Sequence, residues 1–183
     1  MTWQSPVKYT LVQTADSLSF RHMPEGATGL PVAPHPGAFG VQRKNHVHEG
    51  VDIYVPEGTP VFAVEPGRVV AVRPFTGPVL GHHWWLPTQA VWVEGPSGVV
   101  VYGEIAPSVS DGQLVEAGAL LGHVARVLKT DKGRPTSMLH LELRTPGNTD
   151  DIEWLDYEKR PPALLDPTPL LLTTCRQESS EIR

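Results

Sequence analysis

Residues 45–70 read NHVHEGVDIYVPEGTPVFAVEPGRVV. Two histidines and an aspartate, His46, His48 and Asp52, fall within seven residues, and a valine-rich run punctuated by glycine follows. Composition alone assigns residues 47–55 to a strand. A regular strand puts His48 and Asp52 on one face but roughly 13 Å apart. Two ligands of one zinc ion need donor atoms only a few Å from each other. If both hold one ion, the chain must bend between them. Gly50 sits there, and glycine permits a turn or bulge. The other reading is an exposed turn carrying three unrelated polar residues.

The 183 residues fit one domain with a core of its own. With 15 basic and 20 acidic residues the net charge is -5, which argues against a nucleic-acid footprint and a polybasic membrane patch. One cysteine, Cys175, leaves no internal disulfide and no cysteine-rich zinc site. No apolar run approaches the roughly 18 residues of a membrane span. The N-terminus lacks a positive n-region followed by an apolar h-region, so a cytoplasmic location is the expectation. The domain boundaries expected are an N-terminal extension over 1–30, a core over 31–145, and a C-terminal segment over 146–183 with a frayed tail, RQESSEIR.

Glycine (17) and proline (19) cut the chain into short pieces. Strand-like runs are Val61–Val64, Arg68–Val72, Ala90–Val93, Val99–Tyr102, Leu120–Val124 and Met138–Leu143, separated by the turn signals PEG, EPG, EGPSG, SDG and EAG. Thr149–Lys159 and Ala163–Leu165 are the helical candidates. The pattern predicts an all-β, β-dominated chain. There is also an internal echo: EGTPVFAV (57–64) and DGQLVEAG (111–118) share acid-Gly-x-x-Val-x-Ala, 54 residues apart. Two copies point to a duplicated β unit rather than a solenoid, with Gly58 and Gly112 in equivalent turns.

A third ligand comes from SMLHLEL (137–143). Period two puts Met138, His140 and Glu142 on one face and Leu139, Leu141 and Leu143 on the other. A leucine face turned to the core leaves His140 opposite it. With His48 and Asp52 it completes a His, Asp, His set, the open three-ligand arrangement of catalytic zinc.

These motifs together resemble the lysostaphin and LytM type of zinc metallopeptidase, metallopeptidase family twenty-three. The resemblance rests on Phe39, Gly40, Arg43, His48, Gly50 and Asp52, on Gly112, Val115 and Gly118, and on the stretch from Met138 to Glu142. It covers about residues 31–143. It implies an antiparallel duplicated-hybrid-motif barrel or sandwich, zinc held by His48, Asp52 and His140, and a peptide or cell-wall peptide as substrate.

The chain departs from the family at two helper histidines. The Tyr-x-His-Leu stretch of relatives reads Tyr102, Gly103, Glu104, Ile105 here, and the first histidine of His-x-His is Met138. Methionine cannot shuttle a proton. Glutamate can, so Glu104 is the candidate general base. His46 is either a substitute helper or a solvated turn histidine. GHHWWLP (81–87) is read as a buried loop plug; the other reading is an aromatic platform with His82 or His83 near the site. The acidic run NTDDIEWLDYE (148–158) is a solvated turn or helix. Glu142 either accepts a hydrogen bond from His140 or faces water.

The expectation is therefore a zinc metalloendopeptidase with an altered general base. The alternative is a catalytically inactive zinc-binding module of the same fold, for peptide or glycan. A carrier or phosphotransfer role fits less well, because neither glycine turn carries a lysine at its tip.

Overall fold

The computed structural model describes residues 2–175; the tail segment 176–183 lies outside the described residues. Among the described residues, eleven strands, one short α-helix and two single-turn 3-10 helices follow each other along the chain. They are β1 (Thr10–Thr14), β2 (Ala27–Pro31), β3 (Val51–Ile53), β4 (Pro60–Phe62), β5 (Gly67–Thr76) and β6 (Thr88–Gly95). Then come β7 (Gly98–Pro107), β8 (Leu114–Val115), β9 (Leu120–Val124), β10 (Leu139–Arg144), β11 (Leu164–Leu165) and the helix α1 (Thr168–Thr174).

Nine strands form one antiparallel sheet whose path runs β11-β10-β7-β6-β5-β8, with β3 on β10, and with β9 pairing both β7 and β4. The all-β reading is borne out, and each strand-like run falls on a strand, Val61–Val64 only in its first half because β4 ends at Phe62. Beyond them, β1 and β2 pair as a small parallel sheet. Among the described residues, no helix is long and apolar enough to cross a membrane.

The main core takes one face of the sheet. Leu139, Leu141 and Leu143 lie in it, with Val100, Tyr102, Val91, Val93 and Val69. Trp3, Val7 and Leu11 join the same core, and Trp3 donates its indole N–H to buried Glu65 at 3.2 Å. The opposite face carries a second, smaller apolar cluster of Ala90, Trp92, Val99 and Val101, with Phe75 against it. Two covered faces explain why Val99–Tyr102 reads as a continuous apolar run instead of an alternating one.

The internal echo corresponds to two turns bonded in the same way. Gly58 N–H donates to Val124 O at 2.8 Å, and Val124 N–H returns a bond to Thr59 O at 2.9 Å. Gly112 N–H donates to Val69 O at 2.8 Å, and Val69 N–H returns one to Gln113 O at 2.8 Å. Both glycines are left-handed, with φ of 85° and 83°. Each turn thus clasps a strand belonging to the other unit, which interlocks the two halves.

Both helical candidates are corrected. Thr149–Lys159 contains no helix, because its backbone is bonded outward: Arg73 donates to Thr149 O, Arg144 to Asp150 O, and Val47 N–H to Trp154 O. Leu164–Leu165 is strand, paired to β10. The helix that does form, α1, starts where Asp166 accepts a hydrogen bond from Thr168 N–H at 2.8 Å.

Candidate metal centre

Asp52 and His140 face each other directly across the β3–β10 pair, so sheet register alone brings them together. His48 arrives by a different route. Residues 40–48 form a small hairpin: Gly40 N–H donates to His48 O, His48 N–H to Val41 O, and Arg43 N–H closes the turn onto His46 O. The chain then bends at Gly50. Gly50 is not in a left-handed conformation; its need is for space. A Cβ there would lie 2.6 Å from Leu141 O and 2.8 Å from His140 Nε2.

Three donor atoms converge as a result. His48 Nε2 lies 3.3 Å from His140 Nδ1 and 3.2 Å from Asp52 Oδ1, and His140 Nδ1 lies 2.8 Å from Asp52 Oδ1. Tetrahedral coordination at zinc–ligand distances near 2.0–2.2 Å spaces ligand atoms about 3.3–3.6 Å apart, so these three need to spread by only a few tenths of an ångström to take the ion. Two imidazole nitrogens and a carboxylate oxygen also match zinc in type. These residues fit a zinc ion.

Every atom pointing away from the convergence is occupied. His48 Nδ1–H donates to Ala38 O at 3.0 Å. His140 Nε2–H donates to Glu142 Oε1 at 3.0 Å. Arg43 donates to Asp52 Oδ2 at 2.6 Å. Each arrangement leaves one donor atom of its residue facing the other two, as outer partners of metal ligands do.

Burial and charge act on these groups in opposite senses. Burial lowers the His48 pKa and outweighs the attraction of Asp52. Burial also opposes charge on His140, but the bonds to Asp52 and Glu142 win and hold its pKa well above the usual imidazole value. Burial raises Asp52, yet His48, Arg43 and His140 bring it well below the usual carboxyl range. Burial likewise works against Glu142, and His140 and Arg144 overcome it, so its pKa is lowered.

Glu104 has a distinct setting. In the β6–β7 register Gln89 opposes Ile105 and Val91 opposes Tyr102, so Gly103 and Glu104 together face Ala90 alone. That is a β-bulge, a device that re-aims a side chain. Glu104 is the one non-glycine among the described residues with a positive φ, 64°, a conformation costing roughly 1–2 kcal/mol. It is 7% exposed, and its Oε2 has no hydrogen-bond partner. Burial first, then the charge of Asp52, push its pKa up to about 8. Gly103, opposite His140, leaves room for the Phe75 ring, which would sit 2.5 Å from a Cβ there. That ring lies 5.4 Å from the His140 ring.

The remaining sequence candidates lie as follows. Met138 is half-buried just before β10. His46 sits in the hairpin turn, 4.0 Å from Glu49. Glu142 is buried and takes His140, not water. The GHHWWLP segment is not a buried plug: Trp84 is 62% exposed, and His82 packs against Trp84 and Trp85. The segment instead hangs on a neighbouring loop through Leu86 N–H to Val127 O and Lys129 Nζ to His83 O, which leaves the Trp84 indole outside and Trp85 half-buried. Sequence reasoning passed over Arg144. It occupies the next position of the same period-two face as His140 and Glu142, which is the signal that finds it.

Comparison with known proteins adds the family. The family model for peptidase family M23 matches residues 46–152. No curated protein matches the chain. Among solved structures, the catalytic domain of the antimicrobial peptidase lysostaphin from Staphylococcus simulans has a TM-score of 0.50 at 16% identity, covering 87% of this chain and 99% of that one. A variant of the catalytic domain of the prophage-encoded M23 protein EnpA from Enterococcus faecalis has a TM-score of 0.49 at 22% identity, covering 75% and 94%. A Pseudomonas aeruginosa protein described as a peptidase M23 has a TM-score of 0.45 at 19% identity, covering 93% of this chain. The chain spans about half of the Pseudomonas protein, 54%. The lysostaphin match shows a shared fold.

Proposed function

We propose a function from one premise: the chain belongs to peptidase family M23. The chemistry we infer is peptide-bond hydrolysis, with zinc held by His48 Nε2, Asp52 Oδ1 and His140 Nδ1. The observation that carries this reading is the convergence of those three atoms within 2.8–3.3 Å of one another. When bound there, zinc supplies Lewis-acid polarisation of the scissile carbonyl.

The chain's own residues set up the rest. Arg43 occupies Asp52 Oδ2, so a single carboxylate oxygen is offered inward. Ala38 O and Glu142 fix the two imidazole tautomers. Glu104 occupies the position where the family resemblance places a helper histidine. Beside a metal charge, which offsets burial, its ionised form is favoured; its unpartnered Oε2 is then the acceptor for the proton of the attacking water, and the same carboxyl returns that proton to the departing amine. Met138 carries no exchangeable proton, which leaves both transfers to Glu104. A substrate of the cell-wall peptide class follows from the family and belongs to this proposal.

One observation favours a second reading, a zinc-holding module that binds peptide or glycan without turnover: the second helper position is Met138. The deciding experiment offers zinc-loaded protein a peptide library that includes glycine-rich and D-alanine-containing peptides. Wild type is expected to cleave a member. Glu104→Gln is expected to bind zinc as wild type does and to lose about 10²- to 10⁴-fold in rate. No cleavage by wild type establishes the binding module; equal cleavage by Glu104→Gln removes Glu104 from the mechanism.

A further inference from the structure

We propose that Arg144 is a positioning residue for His140, acting through Glu142. The three are consecutive side chains on one face of β10, and all three are buried. Glu142 is bonded at both oxygens. Oε1 accepts His140 Nε2–H at 3.0 Å. Oε2 accepts Arg144 Nε–H at 2.9 Å and a second Arg144 N–H at 2.6 Å. A carboxylate held at one oxygen rotates about its last torsion; held at both, its plane is fixed, and a planar guanidinium is suited to fixing it. Arg144 is itself 2% exposed and spends a further N–H on Asp150 O. The orientation of the His140 ring is therefore transmitted from the backbone of the segment after β10, through Arg144 and Glu142.

Two features show that this bond chain has no slack. Gly50 closes over the His140–Glu142 contact: a Cβ on it would lie 2.8 Å from His140 Nε2 and 3.0 Å from Glu142 Cγ. On the sheet side, His140, Glu142 and Arg144 are paired opposite Gly103, Val101 and Val99 of β7. A carboxylate freed from Arg144 gains torsional freedom without access to water, and it would then hold His140 in more than one orientation.

The inference rests on the zinc reading for its consequence but not for its test. The His140 Nε2 proton is bonded to Glu142 whether or not metal is present, so it should give a slowly exchanging imidazole N–H signal in the NMR spectrum of metal-free wild type. Arg144→Met, which keeps the aliphatic stem and removes every donor, should lose that signal. The same variant should bind zinc about 10- to 100-fold more weakly in competition with a chromophoric chelator. Arg144→Lys, which keeps the charge but offers one compact donor group, should fold as wild type does and fall between the two in zinc affinity. Persistence of the His140 signal in Arg144→Met overturns the proposal. If Arg144→Met does not fold, wild-type zinc affinity in Arg144→Lys overturns it instead. A wild type that shows the signal but takes no zinc defeats the zinc reading and leaves the positioning role standing.

Discussion

At the scale of single residues, the site depends on one glycine whose reason is space. The spacing of His48 and Asp52 calls for a bend at Gly50, and the bend is there. What a one-dimensional reading could not supply is the neighbour: His140 and Leu141 come from 90 residues later along the chain, and only sheet pairing brings them over Gly50. Gly50→Ala forces a Cβ against backbone Leu141 O at 2.6 Å. Overpacking of this kind costs about 1–3 kcal/mol. The shift it requires falls on His140, so zinc affinity should drop along with the melting temperature. Thermal unfolding in chelator, paired with a zinc titration, checks both; unchanged zinc affinity would show that β10 yields without moving the imidazole. The metal-ligand candidates themselves were legible because His-x-x-x-Asp and a period-two strand each restrict donor directions. Arg144 was not, because arginine beside a glutamate reads as an ordinary surface pair until both prove buried.

At the scale of elements, the duplicated turns were legible and the helices were not, for one physical reason. A glycine turn is decided locally by a left-handed backbone. The segment 149–159 is decided by distant partners, since Arg73, Arg144 and Val47 take its backbone groups. The equivalence of the two turns makes a specific expectation. Neither Gly58 nor Gly112 has an atom within 4 Å of a would-be Cβ, so alanine at either costs backbone strain alone, about 1–2 kcal/mol. Gly58→Ala and Gly112→Ala should destabilise by similar amounts in urea titrations, with unchanged m-values. A several-fold difference between them would mean that the two units are not mechanically equivalent.

At the scale of the whole molecule, the buried charges of the site set how stability depends on pH. Asp52 and Glu142 have lowered pKa values. Their contributions are present above the ordinary carboxyl range and are lost as pH falls through their folded values. His140 is raised, so its contribution is complete below the ordinary imidazole value and is lost as pH rises. Glu104 is the unusual carboxyl: its folded value of about 8 stands above the ordinary 4.5. Between those values the folded chain keeps a proton that the unfolded chain has released, and stability must fall as pH rises across that window. His48, whose pKa burial lowers, works the other way below the ordinary imidazole value, so the metal-free protein should lose stability as pH rises from that value toward 8. Zinc acts the other way. It needs His140 without its proton, so its binding releases a proton and strengthens as pH rises, and the stabilisation it adds grows over the same range. Melting temperatures taken from pH 5 to pH 8.5, with chelator and with excess zinc, should diverge steadily. In chelator, Glu104→Gln should fall less steeply with pH than wild type, because it has no proton to lose. Parallel curves for wild type and Glu104→Gln would mean that Glu104 is ionised in the folded protein, and the buried, proton-holding carboxyl described for the bulge of β7 would then be wrong.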